Sequence, residues 1–537
     1  MKQLLLLVLL VSSAPAETFD VVVYGGTAGG VAAAVTAARE GLKVALLEPR
    51  NHLGGMVSGG LSWTDFGKKE VIGGFALEFY WRAGQHYEMR RYGNEVAWMH
   101  EPHVAENIFR EMVKESGVRL YEKHPLRETG GVMKEGTSIK QITAANGAVF
   151  TAGVFIDSSY EGDLMAQSGV AYTWGRESTA EYGESLAGVR GKTPFHQFLV
   201  DVSAYSAQKK LLPEIYAGAP GQPGAADKKV QAYNYRMCFS EVPGNQVPFP
   251  KPAGYDPSRY ELFARLLKAR VAKEGRPPAL NSVIKVDRIP NGKADINNQG
   301  AFSTDYIGGS WTYPEAKYAE RERIWEAHRN YQQGFFYFLA NDPQVPAELR
   351  REMNRWGLCK DEFVDTGNWP HQLYIREARR MVGEFVVTQK DLQTELTKPD
   401  AIGMGSYNSD SHNIQRLPTP DGNVLNEGDM QVSVTPYQIP YRVMLPKRQQ
   451  ATNLLVPVAF SASHVAYSSL RMEPQYMILG HAAGLAAKMA LSNRTAVQEV
   501  DKADLQKLLQ GQGAIFEYVP APQLRSIQKF VARKKME

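Results

Sequence analysis

The hydrophobic pattern changes period several times along the chain. Leu4 to Val11 is one unbroken apolar run. Phe19-Asp-Val-Val-Val-Tyr24 is a shorter run with three consecutive valines, the pattern of a strand buried on both faces. Val31 to Ala38 is alanine-rich and predicts a helix able to lie close to a sheet; Gly41 ends it, and Lys43-Val-Ala-Leu-Leu47 predicts a second strand. From Glu101 to Ser116 the apolar residues Val104, Ile108 and Met112 recur every fourth position, which predicts a helix, followed by a strand at Val118–Glu122. Ser138–Ala145 and Ala148–Ile156 flank Asn146-Gly147, a strong two-residue hairpin signal, and the return strand runs into Asp157. Further on, helices are expected over Glu315–Phe338 and Pro346–Trp356, a strand over Asn453–Val458, and a small-residue helix over Met477–Ala487.

Strand, glycine cluster, helix and strand at the start predict an α/β fold with a Rossmann-like nucleotide domain. We place its first part at residues 17–190 and its completing part, with the C-terminal tail, at 430–537. The intervening 191–429 differs in composition: Gly218-Ala-Pro-Gly-Gln-Pro-Gly224 is a loop, and Trp369-Pro370 marks a turn. It is expected as an inserted α+β substrate or cap domain. The 537 residues are 43% hydrophobic and 22% charged, which excludes a disordered chain and a multi-span membrane protein. A net charge of +4 is too balanced to argue for nucleic acid as a partner. Arg533-Lys-Lys535 reads as a solvated tail.

Met1-Lys2-Gln3, the run to Val11 and Ser12-Ser-Ala14-Pro-Ala16 fit a secretory signal over residues 1–16, cleaved after Ala16. The run is far short of the roughly 20 residues that span a bilayer. The protein is therefore expected to be exported, periplasmic or secreted, with no transmembrane anchor after cleavage. The two cysteines, Cys238 and Cys359, allow one disulfide or two buried thiols. Two thiols cannot hold an iron–sulfur cluster or a four-thiolate zinc site. The histidines at 52, 86, 100, 124 and 371 show no metal-ligand spacing, so no metal is expected.

The glycine cluster Gly25-Gly26-Thr27-Ala28-Gly29-Gly30 carries the first chemistry. Gly25 permits a tight turn out of the strand, and Gly30 lets the helix approach the sheet. The helix start offers unpaired N–H groups and a partial positive charge to a pyrophosphate. Glu48 follows Gly25 by 23 residues, where its carboxylate can accept ribose hydroxyls. Thr27 departs from the middle glycine of G-x-G-x-x-G. A ribose-binding acid favours FAD or NAD over NADP.

Pro49-Arg50-Asn51-His52-Leu53-Gly54-Gly55-Met56 then resembles the glycine doublet that follows the first β-α-β unit in FAD-dependent oxidoreductases of the glutathione-reductase superfamily. Phe155-Ile-Asp157-Ser-Ser-Tyr-Glu161-Gly162-Asp163 resembles their later strand-to-turn motif, where the aspartate meets the ribityl region. Gly480-x-x-x-Gly484-Leu485-Ala486-Ala487 resembles their closing helix at the flavin. The best match is the bacterial FAD-dependent oxidoreductase family related to fumarate-reductase-type and heterodisulfide-reductase-type flavoproteins. Glu101-Pro-His103, Arg376-Glu-Ala-Arg379-Arg380, Tyr407-Asn-Ser-Asp410-Ser-His412-Asn413 and Ser461-Ala-Ser-His464 also look like that family. The resemblance implies FAD as cofactor, contacts from Pro49, Arg50, Met56, Asp157, Gly480, Gly484, Leu485 and Ala486, and weaker contacts near the adenine from Pro125 and Leu126. The cluster-binding cysteines of the heterodisulfide-reductase relatives are absent, and no second glycine fingerprint marks a nicotinamide domain.

Flavin chemistry asks the protein for position, a proton acceptor and a cation near developing negative charge. His412, in a polar loop beside Asp410, is the first candidate base; a loop histidine bonded to backbone is the plainer alternative. His464, after the strand expected near the flavin, is the second. Arg471 could bind a substrate carboxylate or steady reduced flavin, or simply pair with an acid such as Glu473. Arg376, Arg379 and Arg380, expected on a helix or at its start, could hold an anion; pairing with Glu377 and Glu384 is the commoner outcome. The expected function is hydride transfer between a small organic substrate and flavin N5, with oxygen, a quinone or a periplasmic carrier as acceptor. The alternatives are reduction of an unsaturated acid in the fumarate-reductase manner, and an exported binding protein that keeps the fold without catalysis.

Overall fold

Valines 21–23 fill the first strand of the molecule, and every one is fully buried. The computed structural model describes residues 16–520 and 530. The expected leader, apart from Ala16, and the basic tail lie outside the described residues. Strand β1 (Glu17–Tyr24) leads into helix α1 (Ala28–Arg39) and strand β2 (Val44–Leu47). Helix α2 (Pro102–Ser116), with proline in its first turn, precedes β3 (Arg119–Tyr121), β4 (Val132–Glu135), β5 (Ser138–Thr143) and β6 (Val149–Asp157). The Asn146-Gly147 turn forms as expected: Gly147 has φ +90°, and Asn146 Oδ1 accepts from the Ala148 N–H at 3.0 Å.

These strands form one sheet in the order β3-β2-β1-β6-β5-β4. The first four run parallel, and Tyr24 sits level with both Leu47 and Asp157. The strand ends that face a ligand in such sheets are therefore gathered on one edge. This is a Rossmann-like α/β fold carrying an additional domain.

The middle of the chain builds a second sheet. It contains β7 (Met237–Ser240), β8 (Gln246–Val247), β9 (Ile284–Ile289) and β10 (Lys293–Asn298). Helix α3 (Tyr318–Asn341) follows, then β11 (Gly357–Cys359), in the order β9-β10-β7-β11-β8. The chain then returns to the first sheet. β12 (Leu454–Leu455) joins β6 in parallel, and helices α4 (His464–Leu470) and α5 (Glu473–Asn493) close the core.

Three local expectations change. The strand expected over 453–458 pairs for two residues only, and the final helix starts at Glu473, four residues early, because Pro474 fits its first turn. Arg376 to Arg379 is irregular and Arg380 begins a two-residue strand, so the three arginines share no helix face. No helix among the described residues is long and apolar enough to cross a membrane.

Helix α5 lies across α1 at glycines. A Cβ on Gly480 would stand 2.1 Å from the Gly29 carbonyl oxygen, and one on Gly484 would stand 2.7 Å from that of Ala33. The small residues of both helices serve this close crossing. Gly480 and Gly484 thus serve this close crossing, and Leu485 and Ala486 are buried in the core beside them.

Candidate cofactor and active site

The turn between β1 and α1 is fixed by close contacts. Gly25 has φ +97°, and a Cβ on Gly30 would stand 1.9 Å from the Gly25 carbonyl oxygen. Thr27, the departure from the glycine pattern, is the N-cap of α1: its Oγ1 accepts from the Gly30 N–H at 3.1 Å and donates to the Ser158 carbonyl at 2.9 Å. The hydroxyl thus satisfies one open helix donor and ties the turn to the end of β6. The second glycine doublet folds onto this turn, with the Gly54 N–H donating to Gly26 O at 2.7 Å.

Glu48 stands at the end of β2. Its carboxylate accepts from the N–H groups of Gly26 (2.8 Å) and Arg50 (2.7 Å). Burial pushes its pKa up to about 7, outweighing both hydrogen bonds. A cavity of about 70 Å³ beside it is lined by Gly25, Thr27, Glu48, Gly55, Ser159 and Tyr160. A second, of about 300 Å³, continues between Tyr24, Pro125, Tyr318 and Arg321. The two share Pro49, Arg50, Glu161 and Trp325, so a strip of open space runs from the helix start past the acid.

That strip offers partners to a nucleotide diphosphate. A diphosphate meets the α1 start, a ribose meets Glu48, and a flat base has the larger chamber, where Arg50 lies 4.0 Å over the Trp325 ring. Ser158 Oγ, buried beside Gly30, has no protein partner and suits a ligand oxygen. Leu126 is absent from the lining; it is buried, with its N–H bonded to Tyr24 and its carbonyl to Tyr318. Met56 is buried, its N–H donating to the Tyr160 hydroxyl at 2.9 Å. Asp157 turns inward. It accepts from Ser159 N–H and Oγ and from the Met165 N–H, bracing the turn after β6, and burial pushes its pKa up to about 6. Trp325, Tyr318 and Glu161 complete the chamber; Trp325 and Tyr318 come from α3, and no sequence signal ties that helix to the first sheet.

The elbow between α4 and α5 joins this strip to the candidate catalytic groups. On one side, Glu473 accepts from the Tyr160 hydroxyl at 2.7 Å, and a Cβ on Gly55 would meet that same hydroxyl at 2.3 Å. Burial pushes Glu473 up to about 8. Two residues earlier, Arg471 donates to Tyr374 Oη at 3.0 Å and the Asp410 carbonyl at 2.7 Å, and lies 3.5 Å from Asp410 Oδ2. Arg471 Nε, Glu473 Oε2 and both amide atoms of Gln475 are buried without protein partners, a group of open polar positions at the elbow.

Asp410 Oδ2 also lies 3.8 Å from His412 Nε2. The main partner of His412 is Asp305, 107 residues away, whose carboxylate lies 2.6 Å from Nδ1. Burial raises Asp305, but Arg376 and His412 outweigh it and hold the carboxyl below its usual range. An ionised Asp305 takes Nδ1–H and leaves the lone pair on Nε2, the arrangement of an oriented base. Behind it, the His196 ring lies 6.1 Å from that of His412 and within 13° of parallel. His196 also lines a third cavity, of about 490 Å³, floored by Phe263, Leu266, Leu267 and Phe302.

His464 is elsewhere. It starts α4 fully enclosed, with Nδ1 2.8 Å from Glu377 and its N–H donating to Glu177 at 2.9 Å, both acids paired with Arg380. The burial that surrounds it favours the neutral ring, down to a pKa of about 3. Gln231 links it to the His412 loop, donating to Glu377 and accepting from the His412 N–H. The arginine trio disperses. Arg376 holds Ala232 O, Asn234 and Asp305; Arg379 holds Asp163 and Glu315; Arg380 holds Glu177 and Glu377. His103 is paired with Glu362 at 2.7 Å.

Folding also brings His52, Glu106 and His371 together, a group with metal-ligating atoms that sequence spacing hides. The two rings are stacked at 3.9 Å and 11°. Their lone pairs lie in separate parallel planes, so one ion could meet both only if a ring turned.

A parallel sheet ending in a capped glycine turn, an acid after the second strand and an open strip past that acid are the parts of a nucleotide-cofactor site. The sequence model of the FAD dependent oxidoreductase family matches residues 20–509, and the chain belongs to that family. No curated protein matches the sequence significantly. Among solved structures, the chain is similar to L-proline dehydrogenase from P. horikoshii (17% identity, 30% of this chain and 59% of that one, TM-score 0.24). It is also similar to an anhydrotetracycline hydroxylase from Streptomyces rimosus (13%, 34% and 41%, 0.22) and to a geranylgeranyl bacteriochlorophyll reductase-like protein from Thermoplasma acidophilum (12%, 97% and 88%, 0.34). The chain thus covers less than two thirds of the first two.

Proposed function

We propose that this protein is an exported oxidoreductase acting on a small organic substrate, with His412 as the proton acceptor. Bound FAD supplies the hydride acceptor or donor at flavin N5. The chain's own residues divide the remaining work. Glu48, the Gly25–Gly30 turn and the start of α1 hold the cofactor's sugar and diphosphate. Asp305 orients His412 so that Nε2 takes a proton from the substrate, or returns one in the reverse direction. Arg471, held between Tyr374 and Asp410, is the cation that stabilises negative charge developing on the reduced flavin or the substrate. The cavity beside His196, with its apolar floor, is the approach for the substrate. Oxygen, a quinone or a periplasmic carrier takes the electrons afterwards.

The carrying observation is Asp410 Oδ2, which stands between His412 Nε2 and Arg471 at the elbow that also touches the cofactor strip. Anaerobic mixing of the yellow protein with alcohols, sugars and other small hydride donors tests the reading. Bleaching of the flavin by at least one class is the expected result. A protein that ignores every donor, yet is reoxidised by enoates after chemical reduction, would replace it with reduction of unsaturated acids. Export is checked separately by N-terminal sequencing of the mature chain, which should begin at Glu17.

A further inference from the structure

Cys238 and Cys359 are the two cysteines of the chain, 121 residues apart. Cys238 lies in β7 and Cys359 ends β11, and these strands are antiparallel neighbours. Their register pairs Gly357 with Ser240 and Leu358 with Phe239, which sets Cys359 opposite Cys238. The Sγ atoms are 2.6 Å apart, closer than two unbonded sulfurs rest. Both residues are buried, at 3% and 1% exposure, against Ile289, Met99 and Phe363. Burial and the neighbouring thiol push Cys238 well above its usual pKa, and the burial of both residues keeps either sulfur from facing a reagent in the folded chain. Neither cysteine belongs to a metal-ligating group among the described residues.

We infer that Cys238 and Cys359 are joined by a disulfide that staples β7 to β11. It forms during folding, before the pair is covered. One cysteine thiolate attacks the disulfide of an external oxidant such as oxidised glutathione, and one reduced thiol leaves. The second cysteine attacks the mixed disulfide and releases the other. The chain gives up two protons and two electrons, and the oxidant becomes two thiols.

The staple sits at one end of a paired ledge. Residues 231–240 run beside 357–377: Tyr374 N–H donates to Asn234 O at 2.9 Å, and Arg376 holds Ala232 O and Asn234. The ledge carries Gln231, which holds the His412 loop, and Arg376, which faces Asp305. A covalent tie across 121 residues removes much freedom from the unfolded chain and pins this ledge. The inference is independent of the catalytic reading, because it concerns the pairing of two strands and not the reaction.

The full chain is produced through a secretory route and denatured in guanidinium with a maleimide and no reductant. The expected result is no maleimide adduct, a mass about 2 Da below that of the reduced sample, and two adducts after reduction. Two adducts before reduction would overturn the bond. Thermal midpoints supply the second measurement. Wild type reduced in guanidinium and refolded with reductant should melt several degrees below the oxidised protein, while the Cys238→Ala, Cys359→Ala double variant should melt alike after either treatment. A wild-type midpoint that stays put on reduction would overturn the staple.

Discussion

The cradle around Gly25–Glu48 and the pocket around His412 are built by different means. In the cradle the backbone does the work. Gly30 stands against the Gly25 carbonyl, Thr27 caps the helix, and Glu48 takes two N–H bonds, all within 26 residues of chain, from Gly25 to Arg50. At His412 the side chains do the work, and they come from afar: Asp305 from the segment between β10 and α3, Arg471 from the α4–α5 elbow, His196 from a loop before β7. A site set by local backbone leaves a spaced motif. A site set by converging side chains leaves none, since any acid in the chain could have been the one that arrives. The two regions should therefore respond differently to mutation: the first through cofactor retention, the second through rate.

The sharpest way to break that division is Gly30→Ala. Its Cβ has no room against a carbonyl oxygen at 1.9 Å, and the carbonyl cannot retreat without opening the turn. We expect a loss of about 3 kcal/mol of stability, the upper end for overpacking, and protein purified without flavin. Absorbance at the flavin band per chain, read beside a thermal melt, checks it. A yellow variant of wild-type stability would detach the cofactor from this turn. His412→Ala is the counterpart. It should keep full flavin content and slow substrate-driven bleaching by roughly 10²- to 10⁴-fold, the usual span for a proton-transfer group. Asp305→Asn should slow it as well, because an amide donates to Nδ1 and leaves the proton on Nε2. Undiminished rates in both would remove this pair from the chemistry.

Glu48→Gln gives a smaller effect with a pH signature. Burial raises Glu48 to about 7 from its ordinary 4.5, so the empty cradle prefers the protonated acid. That contribution to the stability of the cofactor-free protein is complete below pH 4.5 and is lost as pH rises through 7. Ribose hydroxyls donate best to the ionised form, so wild-type FAD affinity should climb from pH 5 to pH 7.5 and then level off. The glutamine variant should bind about tenfold more weakly at pH 7.5, the worth of one charged hydrogen bond, and show no such climb. Titration of the cofactor-free protein by flavin fluorescence at several pH values reads both. A flat wild-type profile would mean that Glu48 meets no sugar.

The same contrast explains what the sequence could and could not disclose. β1, α1, β2, the 146–147 turn and the acid at 48 follow from short-range rules: valine runs, alanine-rich helix, glycine where φ is positive. Thr27 looked like a defect in the glycine pattern because its hydroxyl's two partners, Gly30 N–H and Ser158 O, exist only once α1 and β6 are in place. Gly480 and Gly484 are small for a reason the sequence showed only in part: smallness was legible, but the close approach to α1 that requires it was not. His412 was legible as a histidine among polar residues. The neighbour at Asp410, two residues away, is the weaker partner at 3.8 Å, and Asp305 at 2.6 Å carried no sequence signal at all.

The arginine trio gives the finest test of that lesson, because there proximity in sequence suggested a shared function. Arg376, Arg379 and Arg380 point to three separate sets of partners. Arg379 is the one whose removal leaves no buried charge stranded. Its partner Asp163 keeps Arg321 at 2.6 Å, and its other partner, Glu315, is well exposed to solvent. Arg379→Gln should therefore cost about 1 kcal/mol, at the scale of an exposed pair, with flavin content and bleaching rate as in the wild type. A melt and a stopped-flow trace on the same preparation suffice. If bleaching slowed at full flavin content, Arg379 would belong with the substrate, and nearness along the chain would have outweighed the dispersal seen in the fold.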